Sequence, residues 1–346
     1  MKLSLNNVSI KTLAHVDAPD VMSSEELEAL LAPAFEHTGM RPGVLEGVAG
    51  IKARRMWPVS VKPSEAAAQA GRLALERSGV MPHQIGAIVN TSVCRDFLEP
   101  STASHVHRLL ELPQSCLNFD LGNACLGFIN GMDFIARLIE LGEIDYGLVV
   151  DGENSRPIVE TTVARLNQPG TTAEQLREQF ATLTLGSGAA AMILCKRELA
   201  PNAPQYKGGV GLAATEHAGL CEGNDSYMRT DTKRLLMAGV QLASQVWQRA
   251  QEEMGWSAEA LDHLVLHQVS QVHTATLGQT LGLPLQKAHI TFDQLGNIGP
   301  AAVPITLSKA AEAGHLKAGE RIALMAIGSG LNCEMSEIMW GEEGVS

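Results

Sequence analysis

Residues 117–125 read LNFDLGNAC and residues 290–299 read ITFDQLGNIG, so Phe119-Asp120 aligns with Phe292-Asp293. The flanking segments keep the same order. HQIGAIVN at 83–90 is echoed by LDHLVLHQ at 261–268, LLELP at 109–113 by TLGLP at 280–284, and EIDYGLVVDGE at 143–153 by AGERIALMAIGSG at 318–330. An offset of about 175 residues is domain-sized, which excludes a solenoid built on short repeats. The pattern predicts two related halves, residues 1–204 and 205–346, with the polar Thr-, Gln- and Glu-rich stretch 155–185 inserted in the first.

Within each half, short apolar runs alternate with longer helical patterns. IGAIV at 85–89, GLVV at 147–150, AAMIL at 190–194, LVL at 264–266 and RIALMAI at 321–327 are continuous rather than alternating, as strands covered on both faces are. Helices are expected at Ser64–Ser78, Gly127–Leu141 and Thr232–Met254. The alternation reads as α/β.

Composition narrows the function classes. The 346 residues carry 26 Lys and Arg against 38 Asp and Glu, a formal charge of −12, with 45 % hydrophobic and only 18 % charged residues. Such a chain can bury a large core and is not a disordered polymer. The negative charge argues against nucleic acid, which requires a basic face. No apolar run reaches the roughly 18–20 residues that cross a bilayer, and the polar N-terminus lacks the apolar core of a signal peptide. Without an export signal, the six cysteines are expected as thiols in a cytoplasmic enzyme.

In α/β sheets, ligand sites favour the carboxyl ends of strands. The residues there are Asn90, Cys125, His267, Asn297 and the turn Gly328-Ser329-Gly330. Cys125 follows a small, tight segment and precedes an apolar helical pattern, so the positive end of a helix dipole would favour its thiolate. An isolated cysteine is more often a small buried hydrophobe, and a lone histidine such as His267 is more often structural. Asn297, between glycines, has an equally plain reading as a turn residue, as has Ser329. Their places in the repeat are what join them.

FDLGNACLGF, HQVS, GNIGPAAVP and IGSG resemble the four signature segments of the thiolase superfamily, within it the ketoacyl synthase III-like condensing enzymes. RDFLEPSTAS, IKARRMW, VVDGEN and GSGLNC resemble the OleA type, which joins two fatty acyl-CoA molecules head to head at the start of long-chain olefin biosynthesis. The resemblance implies the five-layered αβαβα thiolase fold in a homodimer, with no cofactor and no metal. It also implies that CoA thioesters are substrates and that downstream enzymes of the same pathway are possible partners. By the same resemblance, Cys125 is the nucleophile, and the backbone N–H groups of Cys125 and Ser329 form the oxyanion hole. His267 and Asn297 bind the carbonyl of the second thioester, and Glu99 is the base, reaching the active site of the partner subunit. Without the resemblance, Glu99 reads equally well as a solvated residue at a helix start.

One departure concerns CoA. Short-chain relatives carry a Trp and an Arg that grip the adenine, and VLEGVAGI at 44–51 has neither. Lys52, Arg54 and Arg55, next to Trp57, are the candidate phosphate contacts, against the alternative of a solvated charge run. Acyl selectivity would depend on channel residues such as Leu98, Phe128, Met132 and Leu331. Two other readings compete: a decarboxylating ketoacyl synthase III-like enzyme using malonyl-ACP or malonyl-CoA, and a non-catalytic acyl-binding scaffold. The acidic charge leans toward CoA over an acidic carrier protein. A loose dinucleotide fingerprint at Gly209–Ala214 lacks a preceding apolar strand. The spacing of His263, His267 and His273 matches no zinc motif.

Overall fold

The five apolar runs become strands of one nine-stranded sheet in the computed structural model, which describes residues 2–224 and 226–345. In chain order the strands are β1 (Val8–Asp17), β2 (Ile85–Asn90), β3 (Leu117–Asp120), β4 (Tyr146–Glu153), β5 (Gly188–Lys196), β6 (Gln205–Ala213), β7 (His263–Leu266), β8 (Arg321–Gly328) and β9 (Asn332–Met339). The main helices are α1 (Pro63–Ser78), α2 (Thr102–Leu109), α3 (Gly127–Glu140), α4 (Thr232–Met254), α5 (Gln271–Leu281) and α6 (Ala302–Glu312). Their ends carry ordinary punctuation: α1 opens on Pro63 and closes on Gly79 at φ 68°.

Strand order is β7-β8-β9-β6-β1-β5-β4-β2-β3. On one side of the β1–β6 seam, β2 and β4 are parallel, while β4–β5 and β5–β1 are antiparallel. On the other side, β7 and β8 are parallel, while β8–β9 and β9–β6 are antiparallel. The pairing scheme is thus repeated, and the two sets meet where Ser9 pairs with Gln205, supported by the Ile10 N–H donating to Pro204 O and by the Leu3 and Leu5 N–H groups donating to Gly209 O and Lys207 O. The counterpart of β3 is reduced to one bridge between Leu264 and Ala288, and Phe292–Leu295 is a short helix.

Strand alternation sorts the side chains into layers. Ile88, Leu148 and Val150 face α1 and α2, packing on Ala67, Ala70, Ala74 and Val106. Their neighbours Val89 and Val149 face inward, onto Phe128, Ile129 and Met132 of α3. From the other half, Val265, Leu324 and Ile338 enter the same central core, which α6 completes with Val303, Ile305 and Leu307. Leu264, Leu266 and Met325 face outward, onto Leu242, Val246 and Leu277 of α4 and α5. Helix, sheet, helix, sheet, helix is therefore the layer order. Strands such as β4 and β5 are buried on both faces, which is why these runs are continuously apolar, whereas the edge strand β3 stays partly exposed.

Segment 155–185 lies between β4 and β5. It forms helices Arg156–Leu166 and Ala173–Gln179, which bury Val159, Val163 and Leu176 against Leu27, Leu31 and Phe35. The equivalent connection, between β8 and β9, is only the turn through Ser329. Among the described residues, no helix is long and apolar enough to cross a membrane.

Candidate active site

Strands β2 and β7 end opposite Val150 of β4 and Met325 of β8, which run on to Glu153 and Gly328, and the candidate residues lie in the segments around these ends. The Thr91 N–H donates to Val150 O at 2.9 Å, and the His267 N–H to Met325 O at 2.7 Å, so both chains leave the sheet beside a parallel neighbour. After β3 the chain turns sharply. Ala124 takes φ 45°, an uncommon value for a residue with a side chain, and α3 starts at Gly127. Cys125 is held between them, half-buried.

The turn after β8 lies against it. A Cβ on Gly328 would stand 3.0 Å from the Cys125 nitrogen and 3.3 Å from Ala124 Cβ, so only glycine lets β8 approach this closely. A Cβ on Gly330, at φ 149°, would stand 2.5 Å from the Asn332 side-chain nitrogen. Ser329 is thereby fixed next to the Cys125 loop.

Asn297 enters from the other side. Its N–H donates to Thr184 O at 2.9 Å and its carbonyl accepts from Gly186 N at 2.9 Å, tying its turn to the edge of β5. Its Oδ1 accepts from Gly299 N at 3.0 Å.

Charge is unfavourable throughout this site. Burial, with Cys221, Glu153 and Asp151 adding, pushes the Cys125 thiol up to about 12. Burial first, and His273 second, take His267 down to about 3. The resting state is a neutral thiol and a neutral imidazole. Desolvation, followed by Cys221, Glu153 and Asp151, thus acts against the thiolate that the positive end of a helix dipole would favour. His267 Nδ1 is buried without a hydrogen-bond partner. A neutral imidazole is a hydrogen-bond donor and acceptor, not an imidazolium acid.

Sequence reasoning did not single out Asp151 and Glu153, which end β4. Glu153, 5 % exposed, accepts from Val93 N at 2.6 Å and Cys94 N at 3.2 Å, and a Gly299 Cβ would lie 3.9 Å from its carboxyl carbon. It therefore joins the root of the loop carrying Glu99 to the Asn297 turn. Burial pushes Glu153 up to about 7. Burial and Glu153 push the fully buried Asp151 well above the usual carboxylate range, against its bond from Thr91 Oγ1 at 2.6 Å.

Other expected residues lie elsewhere. Glu99 is exposed on the loop after β2, beside Leu98 at 94 % and Phe97 at 48 % exposure. Asn90 is occupied structurally, donating to Asp120 Oδ1 at 3.2 Å and accepting from Ser92 Oγ at 2.8 Å. Arg54 corrects the phosphate-contact expectation. It is wholly buried and donates to Ser23 O at 3.4 Å and Leu183 O at 3.3 Å, because alternation in the short strand Ala53–Met56 turns it inward. Trp57 is buried too, while Lys52 is exposed and Arg55 half-exposed. The supposed channel residues Phe128 and Met132 belong to the central core, and Leu331 to the α4–α5 core.

Family models match two parts of the chain: the 3-oxoacyl-[acyl-carrier-protein] synthase III model over residues 119–203 and its C-terminal model over 251–340. The acyl-CoA:acyl-CoA alkyltransferase of Xanthomonas campestris is 51 % identical over 334 residues, covering 96 % of this chain and 99 % of that one. The chain belongs to the OleA family. The acyl-CoA:acyl-CoA alkyltransferase of Shewanella oneidensis is 36 % identical over 98 % of this chain and all of its own. Cerulenin-bound OleA from Xanthomonas campestris superposes with a TM-score of 0.96 at 50 % identity, covering 98 % of both chains. A Cys-to-Ser variant of that OleA, with lauric acid and lauroyl-CoA bound, superposes with a TM-score of 0.95 at 50 % identity, covering 97 % of this chain and all of the other. The cysteine, glutamate and histidine replaced in solved variants of that OleA are spaced as Cys125, Glu99 and His267 are here.

Proposed function

We propose that this chain condenses two long-chain fatty acyl-CoA thioesters without decarboxylation and releases a β-keto acid. The observation carrying the reading is near-full-length identity to an acyl-CoA:acyl-CoA alkyltransferase, with a cysteine, a histidine and a glutamate at matching intervals. Cys125 Sγ attacks the first thioester carbonyl. Its proton passes to the departing CoA thiolate, giving acyl-Cys125 and CoA. The Cys125 and Ser329 N–H groups receive the oxyanion, each donor worth about 3–4 kcal/mol in such sites.

The second thioester's carbonyl accepts from Asn297 Nδ2 and from neutral His267. Glu99 removes its α-proton, and the carbanion attacks acyl-Cys125. The C–C bond forms as the C–S bond breaks, giving a β-ketoacyl-CoA and the Cys125 thiolate; the proton held by Glu99 then goes to that sulfur, through water, and restores the resting thiol and the carboxylate. Hydrolysis then yields the β-keto acid and CoA. A decarboxylating enzyme has no need of that base.

Glu99 stands on an exposed loop, and Val93, Phe97 and Leu98 expose apolar surface around it. We assign that loop to the active site of a second copy, so the working unit is a homodimer. Mixing two inactive variants, Cys125→Ala and Glu99→Ala, tests this: random exchange into dimers restores about one quarter of wild-type condensation. A mixture as inactive as its components refutes the shared site.

A further inference from the structure

Behind the oxyanion site, three asparagines donate in one direction. Asn332 Nδ2 donates to Asn123 Oδ1 at 3.0 Å, Asn123 Nδ2 to Asn130 Oδ1 at 2.6 Å, and Asn130 Nδ2 to Glu334 Oε2 at 2.6 Å. Asn332 and Glu334 are two residues apart on β9 and face the same way, so the chain of bonds closes a ring. The ring crosses the fold: Asn332 and Glu334 come from one half, Asn123 and Asn130 from the other.

Its members touch both sides of the site. Asn123 lies two residues before Cys125 and bridges to it, and Asn332 packs against Gly330 of the turn carrying Ser329. The ring is anchored on a buried acid pair. Glu334 and Asp133 are 6 % and 4 % exposed, and Tyr206 Oη donates to Asp133 Oδ1 at 2.5 Å. Burial raises both carboxyl groups, and Asp133 adds to the rise of Glu334, so the pair holds a proton above the usual carboxylate range. Each amide thus donates toward an acceptor that is itself fixed. Bonds aligned head to tail strengthen one another where water is partly excluded, as it is at these half-buried amides.

We propose that the ring Asn332–Asn123–Asn130–Glu334 is the positioning device of the oxyanion hole, with Asn123 and Asn332 setting the separation of the Cys125 and Ser329 N–H groups. This rests on the condensing reading above. None of the four touches the reacting atoms; they act through the two backbone donors. The two donors come from different halves, where Gly328 packs against the Cys125 nitrogen, and the ring adds side-chain bonds across that contact.

The test compares Asn123→Ala, Asn332→Ala and the double variant in single-turnover CoA release from lauroyl-CoA, with intact-protein mass reporting the acyl adduct. Each single variant should acylate about tenfold to hundredfold more slowly, with half-saturating lauroyl-CoA within about twofold of wild type. The double variant should be no more than about threefold slower than the slower single one, because either cut opens the same ring. The core variant Ile135→Ala, matched for thermal stability, should keep the wild-type rate. Wild-type acylation rates in the single variants overturn the ring while leaving the condensing reading intact. Losses that multiply in the double variant, or that Ile135→Ala shares, also overturn it. A wild-type protein that forms no adduct overturns the condensing reading and the ring together.

Discussion

Replacing Gly328 with alanine perturbs the proposed oxyanion site without touching a side chain assigned a chemical role. The added Cβ would stand 3.0 Å from the Cys125 nitrogen, 3.0 Å from Leu126 Cδ1 and 3.3 Å from Ala124 Cβ. Ordinary carbon–carbon contacts lie at about 3.5–4.0 Å, so the loop must retreat by a few tenths of an ångström. Leu126 can rotate, but the Cys125 nitrogen and Ala124 are backbone-fixed at the mouth of α3. The Cys125 N–H therefore moves away from the Ser329 N–H. Complete loss of one donor costs about 10²–10³ in rate, and this partial displacement is expected to cost about tenfold, or ~1.4 kcal/mol of barrier. Overpacking adds about 1–3 kcal/mol of destabilisation, read separately by thermal melting. Stopped-flow detection of the first equivalent of CoA gives the acylation rate directly. An alanine variant that acylates at the wild-type rate refutes the placement of the donor at this contact.

Arg54→Ala should lower stability by about 3 kcal/mol, leaving the Ser23 and Leu183 carbonyls without their donor and the nearby Glu28 charge uncompensated, while half-saturating acyl-CoA stays within twofold. A large rise in that concentration with unchanged melting would return Arg54 to the phosphate site. Alkylation of Cys125 by iodoacetamide, followed by peptide mass, should still be rising at pH 9, since burial holds the thiol up at about 12; a plateau above pH 7 contradicts this. Glu153 has its pKa raised on folding from the ordinary 4.5 to about 7, so the unfolded chain loses this proton first and stability falls as pH rises between those values. Glu153→Gln removes that slope, and its melting temperature relative to wild type should climb from pH 5 to pH 8. A relative melting temperature that is flat or falls across this range contradicts the buried-acid assignment.

The layer architecture was legible because strands covered on both faces carry unbroken apolar runs, and Leu148–Val150 or Leu264–Leu266 can be read directly. Strand β9, NCEMSEIM, was not legible as a buried strand. Its Glu334 and Glu337 look like solvent-facing residues until their partners are seen, Asn130 across the fold and Arg321 on the neighbouring strand β8. The repeat placed Phe292-Asp293 opposite Phe119-Asp120, yet one pair lies in a helix and the other in a strand, since local alignment does not fix local conformation. Strand ends announced Cys125, His267 and Asn297. The carboxyl groups beneath them did not announce themselves, because burial of Asp151, Glu153 and Asp133 depends on which distant N–H and O–H groups reach them. Arg54 was misread for a similar reason: three cations in four residues suggest a surface patch, and alternation in a short strand sends one of them inside.

The most direct measurement is the product formed from a single long-chain acyl-CoA with no malonyl donor present. Incubation with lauroyl-CoA alone should release CoA and give, by mass, the β-keto acid joining two twelve-carbon chains, or the ketone left when that acid loses carbon dioxide. Product that appears only when malonyl-CoA or malonyl-ACP is added would contradict condensation by proton abstraction and would make this chain a decarboxylating synthase.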